Sequence, residues 1–488
     1  MSNLQRDITS SIILNIKLLK FGGRMEQSKR SSFSGSLGFI LAAAGSAVGL
    51  GNIWRFPYLA AKDNGGLFIL IYIILALTFG FTLLTTEIAI GRKTKQSPLT
   101  AYKLINKKFG FIGSIATIVP VLILPYYCTI GGWVIKYFIT FLTGDGVKAA
   151  ADGYFTGFIS DTISPLALMV VFLLITSIVI IGGVNKGIEK SSKVLMPILL
   201  VLVIGISIYS LTLSHTTADG ITRTGLDGLK IYLIPSFENI TVKDFFITLM
   251  DAMGQLFFSI SVAMGIMVAY GSYVSDNTNL MKSINQIEIF DTLVALLAGL
   301  MIVPAVFVFM GKEGMSAGPG LMFVSLPKVF ENMGSIGTVI GILFFLMVLF
   351  AAITSSVSIM EAIVSSIMDR FHFSRKKSAV IVLIYALVFG AIVCLGYNKF
   401  YFELKLPNGS VGQILDVFDY LSNNILMPLL ALFTCILIGW VAKPKTIIDE
   451  VTKNGEKFGR KFVYTATIKF IAPILLFILL LQATGIIK

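Results

Sequence analysis

Cysteine, histidine and charge are all scarce in this chain of 488 residues, which has 3 Cys, 2 His and 13% charged residues. Three cysteines in so long a chain exclude a disulfide-stapled scaffold. The two histidines, His215 and His372, fall in loop sequence, and no metal-ligand spacing or nucleophile motif accompanies them, which argues against an enzyme. A water-soluble domain carries about 25% charged residues. A disordered chain needs low hydrophobicity with high charge. Neither fits a sequence that is 56% hydrophobic with a mean hydropathy of +0.87. What remains is an all-α polytopic membrane protein, provided the apolar residues gather into spans of ~20.

They do so in eleven stretches, roughly 36–60, 66–90, 112–142, 163–183, 194–213, 243–273, 286–310, 335–368, 378–398, 411–441 and 463–486. The net charge of +13 then reads as topology rather than as a nucleic-acid surface. With the N-terminus inside, one set of loops holds 26 Lys and Arg and the other set 10. That bias places the N-terminus in the cytoplasm and, after eleven spans, the C-terminus outside. The expected location is the inner (plasma) membrane, with the lipid bilayer as partner and no nucleic acid. Residues 1–24 contain an apolar stretch broken by Lys17 and Lys20, without a small-residue cleavage site. They read as a dispensable extension rather than a secretory signal. Cys128, Cys394 and Cys435 lie in or near spans and read as small buried hydrophobes.

Two spans are not plain apolar helices. The first runs GFILAAAGSAVGLGNIWRFPYLA, with Gly45, Gly49 and Gly51 at its middle, then Asn52, Arg55 and Pro57. Glycines can serve close helix packing, but packing does not account for an intramembrane Arg, which usually faces a cavity or a partner. The sixth repeats the pattern with Gly254, Gln255, Ser259, Ser261 and Gly265. Interrupted segments at matching places in two halves point to a transporter's central site, where exposed amides attract a carboxylate and exposed carbonyls a cation. The eighth span carries Thr354, Ser355, Ser356 and Ser358, a polar face suited to a hard cation. Asp291 stands in the seventh span, unless that helix starts later and leaves it interfacial. Glu87, Asp416 and Asp419 are further charges near span ends.

The runs GSAVGLGNIWRFPYLA (45–60), TEIAIGR (86–92), PYYCTIGGW (125–133), GQLFFSIS (254–261), ITSSVSIM (353–360) and LDVFDY (415–420) resemble the neurotransmitter:sodium symporters, across roughly residues 30–441. That resemblance implies two inverted five-helix repeats with broken helices 1 and 6. It divides the chain into a cytoplasmic extension (1–29), first repeat (30–213), second repeat (214–441) and a loop with an eleventh helix (442–488). It implies Na⁺-coupled amino-acid symport by alternating access, with two Na⁺ ions. The first sodium site would use Ala47, Asn52, Ser259 and Asp291. The second would use Gly45, Val48, Ala351, Thr354 and Ser355. The substrate would meet Ala47, Gly49, Gly51, Ile123, Tyr127, Phe258, Ser259, Ser261, Met264, Ser355, Ser356 and Ile359. Arg55, Gln255 and Asp419 would gate the outer side, and Arg30, Ser272, Tyr273 and Asp369 the inner side.

Three residues depart from the common pattern of those symporters. Asp291 stands where Asn is common, and its fixed charge implies that no chloride is required. Ser259 replaces Thr, and Phe33 replaces Trp. Ser46 stands where amine carriers have Asp, which favours substrates that bring their own carboxylate, hydrophobic or aromatic amino acids above all and tyrosine first. An amine or osmolyte carrier, or a non-transporting amino-acid sensor or channel-like protein, are the alternative readings.

Overall fold

The computed structural model describes residues 31–217, 220–235, 240–315 and 318–487. The extension 1–24 and the expected inner-gate residue Arg30 lie outside them. Runs of apolar residues with few breakers become long helices, because backbone groups in lipid must be satisfied within their own segment. The principal helices are α1 (Ser36–Ala47), α2 (Gly51–Lys62), α3 (Gly66–Thr94), α4 (Lys107–Leu142), α5 (Ser164–Ile181), α6 (Val184–Leu211), α7 (Gly225–Leu233), α8 (Val242–Ser259), α9 (Ile266–Ser272), α10 (Leu280–Met310), α11 (Ser335–Phe371), α12 (Arg375–Leu395), α13 (Ile414–Val441) and α14 (Lys461–Ala483). Shorter helices and two small antiparallel hairpins, Ser214–Thr216 with Thr222–Thr224 and Leu404–Lys405 with Val411–Gly412, connect them. Among the described residues, nine helices are each long and apolar enough to cross a membrane, and α1 with α2 form a tenth, bent by 53°. The remaining expected span, 243–273, consists of α8 and α9, split by six non-helical residues.

Both breaks have local causes. α1 ends at Val48, whose backbone is extended (φ −73°, ψ 93°). At Gly51 a Cβ would come within 2.2 Å of the Phe258 ring, so only glycine lets α2 and α8 approach there. Between α8 and α9, Ser261 (φ 52°), Ala263 (φ 57°) and Gly265 (φ 73°) adopt the left-handed conformation. Two of these are not glycine, which costs energy and persists only where surroundings hold it. Here the Ala263 amide donates to Glu87 Oε1 at 2.8 Å, and Ser261 Oγ donates to the Ser46 carbonyl at 2.8 Å. The two breaks therefore hold each other, with α3 as a buttress. α1 packs on α6, α10 and α11, and α11 lies along α4. The broken helices thus sit inside the bundle, enclosed by continuous ones.

Candidate functional site

The first cluster joins the start of α2, the end of α8 and the middle of α10. Asn52 Nδ2 donates to Ser259 Oγ and to Asp291 Oδ1, both at 3.0 Å. Ser259 Oγ lies 2.9 Å from each Asp291 oxygen and accepts the Tyr72 hydroxyl at 3.0 Å. Asn52, Ser259, Asp291 and Tyr72 are all fully buried. Asp291 therefore stands well inside its helix, not at an interface. Among the described residues its hydrogen-bond partners are the neutral Asn52 and Ser259. A buried carboxylate without a cationic side chain calls for a bound cation.

The second cluster is built from neutral oxygens. Ser355 Oγ lies 3.5 Å from the Gly45 and Val48 carbonyls and 3.1 Å from that of Ser46. Thr354 Oγ1 lies 3.1 Å from the Ala351 carbonyl. The break after α1 frees its carbonyls from helical bonding, and α11 brings the Ser355 hydroxyl against them, while the neighbouring Thr354 hydroxyl bonds the Phe350 and Ala351 carbonyls of its own helix. Such all-oxygen sets suit hard cations.

Between the clusters lies a small cavity of about 20 Å³. Ala47, Gly49, Ile123, Tyr127, Phe258, Ser261, Met264, Ser355 and Ile359 line it, and Ser46 and Ile266 join them. The Tyr127 hydroxyl is buried and makes no well-formed hydrogen bond; the Ser355 hydroxyl and the Leu50 backbone are its polar neighbours, and it lies 3.3 Å from where a Gly49 Cβ would stand. A buried orphan donor in a cavity calls for a ligand acceptor. Three residues expected at the substrate lie elsewhere. Gly51 packs under the Phe258 ring and accepts from Gln255 Nε2 through its carbonyl at 3.1 Å. Ser259 belongs to the Asp291 cluster. Ser356 turns away to Thr176, with hydroxyls 2.8 Å apart. Ser358 likewise faces Tyr270, so the four hydroxyls of α11 do not form one face.

The two sides of the cavity differ. On the side expected to face outward, a vestibule of about 780 Å³ reaches down to Phe258, passing Arg55, Asp251, Gly254 and Asn423. Phe258 lines both spaces and partitions them. Arg55 and Asp419, both expected at the outer gate, do not pair with each other. Asp419 instead accepts Asn423 Nδ2 at 2.6 Å, while Arg55 lies against Gly254. On the opposite side, Tyr273 donates to Glu361 at 2.6 Å, and Arg375 grips that carboxylate through two bonds of 2.7 and 2.8 Å. Asp369 accepts the Ser97 amide at 2.6 Å, and Ser272 Oγ bonds the Ala269 carbonyl at 2.5 Å. Phe33 packs its ring against Phe39, Tyr270 and Tyr273, with its amide on the Tyr273 carbonyl at 3.1 Å. Glu361 and Arg375 are absent from the expected gate. The signal was an acid one residue past the ITSSVSIM run, which a sequence scan for intramembrane charge could have flagged.

The sequence profile of the Sodium:neurotransmitter symporter family matches residues 30–149 and 158–487. This chain belongs to that family. Among its relatives, the uncharacterized sodium-dependent transporter YhdH of Bacillus subtilis is 34% identical over 471 residues, covering 95% of this chain and 100% of that protein. An uncharacterized sodium-dependent transporter of Haemophilus influenzae is 30% identical, covering 93% and 98%. Human sodium- and chloride-dependent GABA transporter 2 is more distant, at 25% identity, covering 87% and 75%. The crystal structure of MhsT in complex with L-phenylalanine superposes with a TM-score of 0.81 at 33% identity, covering 93% of this chain and 100% of that one. The symporter described here is thus a sodium-coupled multi-pass membrane protein, with both oxygen clusters and the cavity between its broken helices.

Proposed function

We propose that this symporter carries a hydrophobic or aromatic amino acid into the cell with two Na⁺ ions, by alternating access and without chloride. Tyrosine is the favoured substrate. The observation that carries the reading is the buried Tyr127 hydroxyl, which makes no well-formed hydrogen bond and stands beside Gly49 and the Leu50 backbone at the helix break. A substrate carboxylate would accept from this hydroxyl and from backbone amides at the break. Ser46 lines the cavity in place of an acid, so the negative charge comes with the substrate. Ile123, Met264 and Ile359 supply the apolar wall for its side chain, and Met264 adapts in shape. The phenylalanine bound to MhsT supports the substrate class.

Chloride independence rests on Asp291. Its fixed charge lies within the cation cluster itself, where an accompanying anion would otherwise balance sodium. The second sodium uses the neutral set around Thr354 and Ser355. The bias of Lys and Arg supports a cytoplasmic N-terminus and an outward C-terminus, which makes the vestibule the extracellular mouth.

The test is uptake of radiolabelled L-tyrosine into proteoliposomes under an inward Na⁺ gradient, competed by each of the twenty amino acids. Accumulation above equilibrium, competed best by aromatic and large aliphatic amino acids, is the expected result. Binding without gradient-driven accumulation would refute transport, and competition only by small or charged amino acids would refute the substrate class.

A further inference from the structure

A second group of titratable side chains stands where the end of α2 meets the middle of α8, away from both sodium clusters. Lys62 closes α2, Asp63 follows it, and Asp251 stands on α8. Lys62 Nζ lies 2.7 Å from Asp251 Oδ2 and 3.6 Å from Asp63 Oδ1. The Asp63 side chain is 6% exposed, its Oδ2 is buried without a hydrogen-bond partner, and its carboxyl faces that of Asp251. Two carboxylates thus share one ammonium, and one of their oxygens is an orphan. Arg55 and Lys405 line the same vestibule as Asp251, and among the described residues no other charge intrudes from the elements packed on α2. Tyr58 contributes only a hydroxyl near Lys62. On α7, Asp227 and Lys230 pair with each other. On α8, Asp244 is taken up capping Thr241, and Lys243 is exposed. α3 carries no charge before Glu87, and α10 none between Asp291 and its end. Beside Gly65 the chain before α8 offers backbone carbonyls of Ile231 and Tyr232.

We propose that Asp63 and Asp251 bind one extracellular proton between them, and that this proton fastens α2 to α8 and strengthens substrate binding. With the proton in place, Asp63 donates to Asp251 while Lys62 balances the remaining charge. Without it, two carboxylates oppose each other across a single ammonium, and the repulsion acts between the two half-helices that hold Arg55, Gly254 and the Phe258 partition. Burial, then the Asp251 charge, push Asp63 up to about 7 against the pull of Lys62. Because the folded protein holds this proton more tightly than an exposed Asp does, the link is made below about pH 7 and lost as pH rises through it.

Only the uptake readout depends on the transport reading. The first measurement is the melting temperature of the purified full-length protein between about pH 6 and about pH 8. Relative to Asp63→Asn, which mimics the protonated form, the wild type should lose stability as pH rises. In Asp251→Asn, Lys62 pairs with Asp63 alone, and the pH-dependent loss should move to lower pH. This second variant carries the test if Asp63→Asn fails to fold. The second measurement is Na⁺-dependent tyrosine uptake. The wild-type KM should rise several-fold across the same range, while Asp63→Asn keeps the low value throughout. Wild-type pH dependence that persists unchanged in both variants would overturn the proposal. A pH-dependent stability difference without any uptake would leave the proton site standing and refute transport.

Discussion

The two ends of the central cavity are closed by different means. The outer end is a vestibule of about 780 Å³ that stops at one aromatic ring, Phe258, and its opposite charges, Arg55 and Asp419, are apart. The inner end is locked by buried charge. Glu361, fully buried, is held by Arg375 and Tyr273. Glu189, also buried, accepts the amide and hydroxyl of Ser34 just below α1 and pairs with Lys193 at 2.6 Å. Arg92, fully buried, binds the Glu450 carboxylate at 2.7 Å and the Glu450 carbonyl. An aromatic ring can swing aside at little cost, whereas separating a buried ion pair costs several kcal/mol. With the proposed orientation in the membrane, the molecule is held open to the outside by the side it keeps shut. We propose that opening the other end breaks these buried pairs while Arg55 and Asp419 come together in exchange.

The largest expected effect comes from removing the inner lock. Glu361→Ala takes the carboxylate from Arg375, which is largely buried and keeps its bond to the Ile180 carbonyl, a loss of about 3 kcal/mol. Uptake should fall by about a hundredfold, and a cysteine placed near Tyr273 should become reactive to a membrane-impermeant thiol reagent from the inner side. Retained uptake with an unreactive cysteine would show that this pair is not the lock. Next comes Tyr127→Phe, which removes the orphan donor. An unmade bond to a charged carboxylate costs about 1.5–3 kcal/mol, so apparent substrate affinity should weaken by about tenfold to a hundredfold, with Na⁺ affinity nearly unchanged. Equal affinities would mean that the carboxylate binds elsewhere. The smallest effect is at the outer end. Asp419→Asn breaks no ion pair in this conformation, and its amide oxygen can still accept from Asn423, so equilibrium substrate binding should stay within about twofold while uptake slows, because unformed ion pairs contribute little. A large loss of binding would show that the outer gate is closed at rest, which would end the comparison.

Much of the fold was legible because its signals are local. Apolar length marked the spans, and Gly45 to Gly51 and Gly254 to Gly265 marked the interruptions, since a broken helix needs small residues at the break and polar ones beside it. Asp291, Asn52 and Ser259 were legible as a set from chemistry in the symporter motifs, and the structure brings them within 3.0 Å of one another. What escaped was rotational phase and long-range pairing. α11 is buried on most sides over its middle, so nothing in the order of Thr354, Ser355, Ser356 and Ser358 says which hydroxyls face α1 and which face α5 or α9. The basic loops were read as topology alone. Yet Arg92, Arg375 and Arg460 each pair with a buried acid, Arg460 with Glu288 through bonds of 2.9 and 2.6 Å. Arg92 and Glu450 lie far apart in the chain, and composition cannot join such residues.

We propose that Asp291 supplies the negative charge inside the sodium cluster and so makes chloride unnecessary. The most direct measurement is Na⁺-gradient-driven tyrosine uptake in proteoliposomes with chloride replaced by gluconate on both sides, for the wild type and for Asp291→Asn. The account predicts wild-type uptake unchanged by the replacement. In Asp291→Asn it predicts Na⁺ affinity lowered by about tenfold or more, with uptake partly restored when chloride is returned. Wild-type uptake that collapses in gluconate, or an Asp291→Asn variant that matches the wild type in both media, would contradict it.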